Sequence, residues 1–268
     1  MMGNVTSRNF ISDVTDFKRM AISESQAHKI IYHVYRYVLK ESPETKNMLD
    51  HYDGLSLENL SDSYIFRELC WVIYCSGFRF DIVKKYWPSL SKGYCFFDVH
   101  KVASFLSDIE NHAYEICRIS GFNNLKKAKW CIQNAQRIIE LNHEKGDFGG
   151  LKGFFRHISL KEPFELVEFA PILVKDLKFK GIGNTTIFHL LKNFGINIFK
   201  PDIHVRRFLA NIGLIKNDNS LFKDICSAMQ YLSDCTGLNI IELDTLLFNY
   251  GRIAKDCVDL YKMNAIIS

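Results

Sequence analysis

Phe179-Lys180-Gly181-Ile182-Gly183-Asn184-Thr185-Thr186 and, nineteen residues after Gly183, the aspartate of Phe199-Lys200-Pro201-Asp202-Ile203-His204-Val205-Arg206-Arg207 decide how this chain reads. Two glycines one residue apart separate two amphipathic stretches. A glycine lacks a Cβ, so the backbone can take φ > 0 and come close to another backbone, which leaves the first amides of the next helix facing outward. Such amides carry partial positive charge and form a seat for phosphate. Ile182 is the expected apolar plug of the bend. By itself the Gly-x-Gly element also fits an ordinary helix-helix turn, and Asp202 by itself fits an ordinary N-cap, since aspartate is favoured there. Together they carry more information than either half.

Outward from this segment, apolar residues recur at i, i+3 and i+4, and period-two alternation is scarce, so the chain reads as all-α. The pattern predicts helices over Ser25–Lys40, Ser63–Cys75, a short one ending near Tyr86, Val99–Ser107 behind an Asp98 cap, and Asn124–Asn142. After punctuation at Gly149-Gly150 it predicts a helix from Glu162-Pro163 to Leu177, then Asn184–Asn193, Asp202–Gly213, Leu221–Ser233 and Ile240–Ala254. With 268 residues and 47% hydrophobic side chains, the chain can bury a sizeable core, which excludes disordered and low-complexity classes. No apolar run approaches the roughly 18 residues of a membrane span. The net charge of +4 permits a polyanionic partner without requiring one. Eight cysteines without a CxxC pair read as reduced thiols rather than a disulfide framework or a metal site. With no basic-then-apolar leader pattern, the expected setting is intracellular, cytoplasmic or nuclear.

The hairpin, the following helix and Pro201-Asp202-x-His204-Val205-x-Arg207 resemble the signature of the helix-hairpin-helix DNA glycosylase superfamily, the relatives of endonuclease III. The resemblance covers roughly residues 63–255. Phe66-Arg67-Glu68-Leu69-Cys70 through Ser76-Gly77-Phe78-Arg79-Phe80, Phe97-Asp98-Val99-His100-Lys101-Val102-Ala103, and Asn124-Leu125-Lys126-Lys127-Ala128 through Asn134-Ala135 resemble blocks of the 3-methyladenine DNA glycosylase I family. Leu246-Leu247-Phe248-Asn249-Tyr250-Gly251-Arg252 resembles the late helix of the endonuclease III branch. The resemblance implies two helical lobes with a DNA-binding cleft between them. It also implies an N-terminal helical extension over residues 1–55 and a glycosylase domain over 56–268. Bifunctional members carry a lysine where this chain has Thr185, so strand-cleaving lyase activity is not expected. Cys257 stands alone where iron-sulfur members have four cysteines, and Val72 occupies the position of the methyladenine family's base-reading glutamate. Neither terminus offers that family's zinc ligands, and no metal or cofactor is expected.

What the resemblance implies chemically is a monofunctional enzyme that flips a modified base out of double-stranded DNA and hydrolyses its N-glycosidic bond, acting as a monomer. Extrusion costs a few kcal/mol, least for a damaged or mispaired base. Cleavage builds positive charge on the sugar, which a fixed carboxylate stabilises, and Asp202 is the expected catalytic group. Lys180, Gly181, Ile182, Gly183, Asn184, Thr185, Lys200, His204 and Arg206 are the expected DNA contacts, although the basic residues after Asp202 also fit a solvated helix face. Tyr64, Trp71, Tyr74 and Phe80 are candidates for an aromatic slot, where stacking contributes roughly 1–3 kcal/mol per base. Phe78 and Arg79 sit in a turn and are the candidates for a wedge that fills the vacated stack. An aromatic stripe at helical spacing equally fits plain core. Alkylated purine such as 3-methyladenine is the first expectation for the base. Oxidised guanine, another modified base, or a DNA-binding protein without catalysis are the alternatives.

Overall fold

The structure is a computed structural model that describes residues 22–53, 55 and 57–254; Gly3, whose context fits myristoylation loosely, and Cys257 lie outside them. Among the described residues every regular element is helical. By its internal packing the chain forms two units, one made of residues up to Leu49 together with Pro201 onward, the other of Asp50–Lys200.

In the first unit, α1 (Glu24–Glu41) begins at a capping box in which Ser23 and Gln26 satisfy each other's backbone N–H. It buries Ala27, Ile30, Ile31, Val34 and Val38. The partners of that stripe come from the far end of the chain, α12 (Phe222–Thr236) and α13 (Ile240–Ile253). Tyr37 meets Tyr250 edge-on at 5.3 Å, and the Tyr231 hydroxyl donates to the Ile22 carbonyl at 3.0 Å. The segment read from the sequence as an extension is thus packed into a unit with the C-terminal helices. The apolar stripe of α1 finds its partners about two hundred residues later in the chain. Helix α2 (Glu44–Asp53) follows α1, and α11 (Ile203–Asn211) packs on α13, with Phe208 against Tyr250 at 5.8 Å.

The second unit is built on α3 (Asp62–Cys75), whose Ser61 cap accepts from the Tyr64 N–H at 3.1 Å and which buries Ile65, Phe66, Leu69, Cys70, Val72, Ile73 and Tyr74. Around it lie α4 (Phe80–Gly93), α5 (Val99–Ser104), α6 (Ile109–Ser120), α7 (Leu125–Glu144), α8 (Gly150–Ser159), α9 (Pro163–Leu177) and α10 (Thr186–Asn193). Asp98 caps α5 through its side chain, as its position predicts, and Asn124 caps α7 in the same way. Beside α2, which the pattern reading did not include, three helices of this unit depart from it. Helix α4 continues past Tyr86 and through Pro88, because Leu90 and Gly93 are buried and Trp87 packs on Trp71 and Phe97. Helix α6 was not expected: Ala113, Cys117 and Ser120 share its buried side with Ile116 while Tyr114 and Ile119 face solvent, which blurs the apolar stripe. Helix α8 starts directly from the left-handed Gly149-Gly150 pair and buries Leu151, Phe154, Phe155 and Ile158. No disulfide joins described cysteines, and no described helix is long and apolar enough to cross a membrane.

Candidate DNA-binding hairpin and catalytic aspartate

The hairpin joins α9 to α10. Lys178 closes α9 in the left-handed region, and Gly181 follows with φ +79°. A Cβ on Gly181 would sit 2.7 Å from the Trp130 ring, so this glycine is demanded by both conformation and space. Gly183 differs: its φ is ordinary and a Cβ there would meet nothing within 4 Å. The sequence reading gave both glycines one role, whereas the first makes the bend and the second leaves its outer surface open. Ile182 is buried as the plug. Gly183 closes the turn ahead of the Thr185 cap of α10: its carbonyl accepts from Ile187 N–H at 3.0 Å, and its N–H donates to Thr186 Oγ1 at 2.7 Å. Helix α10 accordingly begins at Thr186, two residues later than expected. Asn184 and Thr185 are exposed, and their N–H groups donate to nothing among the described residues. That is the amide arrangement an anion can occupy. Lys180 is exposed beside it, with its backbone held from below by the buried Asn134 through two hydrogen bonds of 2.7 and 2.9 Å.

Asp202 caps α11. Its Oδ1 accepts from the N–H groups of His204 and Val205 at 3.0 and 3.1 Å, while Oδ2 accepts no hydrogen bond among the described residues. The side chain is half-buried. The cap and the functional reading therefore do not compete, because capping fixes the carboxylate's orientation with one oxygen and leaves the other without a hydrogen bond from the described residues. His204 rests edge-on against Phe248 at 5.6 Å. Arg206, an expected DNA contact, is committed elsewhere: Nε donates to the Pro201 carbonyl at 3.0 Å and Nη1 to those of Ser220 and Asp218 at 3.0 and 3.3 Å. It brackets the loop that presents Asp202. Partial burial lowers its pKa from the usual guanidinium value, Asp218 and Asp202 opposing that shift. Arg206→Met leaves those carbonyls without their donor, and the expected result is a loss of stability of about 1–3 kcal/mol, measured by chemical denaturation.

The aromatic candidates separate. Tyr74 is fully buried, its hydroxyl paired with that of Tyr94 at 2.9 Å, so it is core and cannot stack on a base. Burial pushes its pKa well up. Tyr64 donates to the Asn193 carbonyl at 3.1 Å with the Arg67 guanidinium 4.5 Å over its ring, and burial raises its pKa to about 12, with Glu68 adding to the shift. Trp71 and Phe80, both half-buried, meet edge-on at 5.5 Å, and Trp87 joins them at 4.8 Å from Trp71. Phe78 remains 39% exposed at the tip of its turn, leaning on Phe122 at 4.9 Å. The side chain of Arg79 is 81% exposed beside Asp81. Lys200 is half-buried, and its charge bears on His189 and Cys75. Desolvation, then Lys200 and Lys192, hold the His189 imidazole well below its ordinary value.

Sequence reasoning missed the residues beneath these turns: Lys127, Trp130 and Asn134 of α7, and Glu68 of α3. Glu68 accepts from Arg67 at 2.7 Å and from Asn193 Nδ2 at 2.9 Å, tying α3 to the end of α10, and burial raises its pKa. The available signal was a polar residue on the apolar side of an amphipathic helix.

This all-helical fold, which carries a glycine hairpin followed by a capped aspartate, is shared with two solved DNA glycosylases. The chain superposes on the 8-oxoguanine DNA glycosylase of Thermotoga maritima with a TM-score of 0.55 at 18% identity, over 83% of this chain and 95% of that one. With the 8-oxoguanine DNA glycosylase of Methanocaldococcus jannaschii the TM-score is 0.52 at 19% identity, again over 83% and 95% of the two chains. At such identities the likeness is one of fold. No protein-family model matches the chain, and no curated protein sequence matches it.

Proposed function

We propose that this protein is a monofunctional DNA glycosylase that extrudes an oxidised guanine from duplex DNA and hydrolyses its N-glycosidic bond. The observation that carries the reading is a hairpin whose exposed Asn184 and Thr185 amides have no acceptor among the described residues, followed, nineteen residues after Gly183, by a carboxylate oriented through Oδ1. A phosphate seat alone serves binding, whereas a fixed carboxylate near DNA phosphates opposes binding and stabilises the cationic sugar of the transition state. The choice of oxidised guanine over the alkylated purine suggested by the front-half blocks is supported by the 8-oxoguanine glycosylases that share the fold. In this reading Asp202 supplies the charge that stabilises the sugar cation, and the exposed Phe78 and Arg79 are the wedge that fills the vacated stack. The enzyme works inside the cell as a single chain.

The test is a panel of duplexes, each with one modified base, assayed for released base by mass. Release from the 8-oxoguanine duplex is expected, and a panel without release sinks the reading. Thr185 offers no amine and Lys127 already donates to three carbonyls. Borohydride added during turnover is therefore expected to trap no covalent enzyme-DNA adduct on a denaturing gel. A trapped adduct would reveal a lysine nucleophile and a lyase.

A further inference from the structure

One face of α7 carries a polar stripe that the hairpin and the aspartate loop do not by themselves explain. Lys127, Trp130, Asn134 and Arg137 follow each other at helical spacing. Lys127 is only 7% exposed, and its ammonium donates to the carbonyls of Ile73 at 2.5 Å, Ser76 at 2.5 Å and Tyr74 at 3.1 Å. A buried ammonium is tolerated when each of its three donors is matched, and here the acceptors are carbonyls at the end of α3 and in the turn that follows it. A cation also suits that end of the helix dipole. The Phe78 ring lies 4.8 Å from the same nitrogen. Further along the face, the Trp130 ring fills the space beside Gly181, and Asn134 bonds both backbone groups of Lys180. Arg137 donates to the Leu177 and Asp176 carbonyls at 3.0 and 3.3 Å. A single helix face therefore grips the turn that carries Phe78 at one end and the hairpin further on.

We propose that this stripe of α7 is the mount that sets the wedge turn and the phosphate hairpin in register, with Lys127 a positioning residue for base extrusion and Asn134 a positioning residue for strand docking. The proposal rests on the glycosylase reading above. A wedge enters the stack at the correct step only if its distance from the gripped phosphates is fixed. A lysine that ties down three carbonyls holds the base of the turn while Phe78 and Arg79 protrude. Asn134 touches neither that turn nor DNA, so the two contributions separate.

The experiment uses the full chain, an 8-oxoguanine duplex with 2-aminopurine beside the lesion, and single-turnover conditions. For Lys127→Met, duplex Kd is expected within about twofold of wild type, while the fluorescence rise and base release slow by about tenfold or more. Placing the lesion in an unpaired bubble removes the extrusion step and is expected to restore release to within about threefold. For Asn134→Ala, Kd is expected to rise by about tenfold with the rate at saturation within about threefold. Equal changes in both constants for each variant, or a bubble that fails to rescue Lys127→Met, overturn the proposal. If either variant melts below the assay temperature, Phe78→Ala and Trp130→Phe alter the same two turns from their other sides, and absence of the same split there overturns it as well. Wild-type protein that binds duplex but releases no base defeats the glycosylase reading instead; the binding constants of Asn134→Ala and Lys127→Met then still report on the docking half.

Discussion

On the proposed glycosylase reading, Asp202→Asn is expected to lower the single-turnover rate of base release by about 10²–10³-fold while leaving duplex affinity close to wild type. The substitution isolates charge from architecture. Asparagine retains an acceptor oxygen for the N–H groups of His204 and Val205 and is as good an N-cap as aspartate, so α11 and its loop persist. What disappears is the negative charge that would face the developing cation of the sugar. Loss of a neighbouring anion does not weaken phosphate binding. Asp202→Ala removes the cap as well and adds a stability loss of about 1 kcal/mol, visible in denaturation. A rate for Asp202→Asn within about threefold of wild type would remove this carboxylate from the chemistry, because oxyanion- and cation-stabilising groups carry far larger effects.

The two hairpin glycines are expected to fail in different ways. Gly181→Val destabilises the protein: a non-glycine residue at φ +79° costs about 1–2 kcal/mol, and its Cβ must displace the Trp130 ring that stands 2.7 Å away. Distortion of the bend takes the open amides with it, and duplex affinity is expected to fall by about tenfold or more. Gly183→Val meets open space and an ordinary φ, so stability changes by no more than about 0.5 kcal/mol. Its branched side chain nonetheless stands next to Asn184 and Thr185, the proposed phosphate seat, and on that proposal affinity is expected to drop although the fold is intact. Denaturation curves and salt-titrated binding on both variants check this contrast. Equal stability losses would contradict it.

Several elements were legible because their causes are local. Asp98 announces a helix start through its hydrogen bond to the backbone three residues on, and the same local chemistry at Ser61 and Asn124 went unread. The long stripe of α7 and the break at Gly181 likewise depend on neighbours in sequence. The departures have causes distant in sequence. Tyr74 and Phe78 are aromatic residues four positions apart at the end of one helix; Tyr94 and the core claim the first, while the second rides a turn over Phe122. Arg206 carried the composition of a phosphate contact until Asp218 and Ser220 supplied carbonyls for it.

The residue order alone determined that this chain is helical and that a glycine bend precedes an aspartate cap. Helix propensity, turn chemistry and capping act over a few residues, so they can be read in one dimension. Only the folded chain decided which aromatic side chains stay at the surface, that α1 belongs with α12 and α13, and that Lys127 and Asn134 brace two separate turns from one helix face. Those outcomes depend on which carbonyls and apolar faces come within a few ångströms of each other after long loops close, and no local preference encodes them.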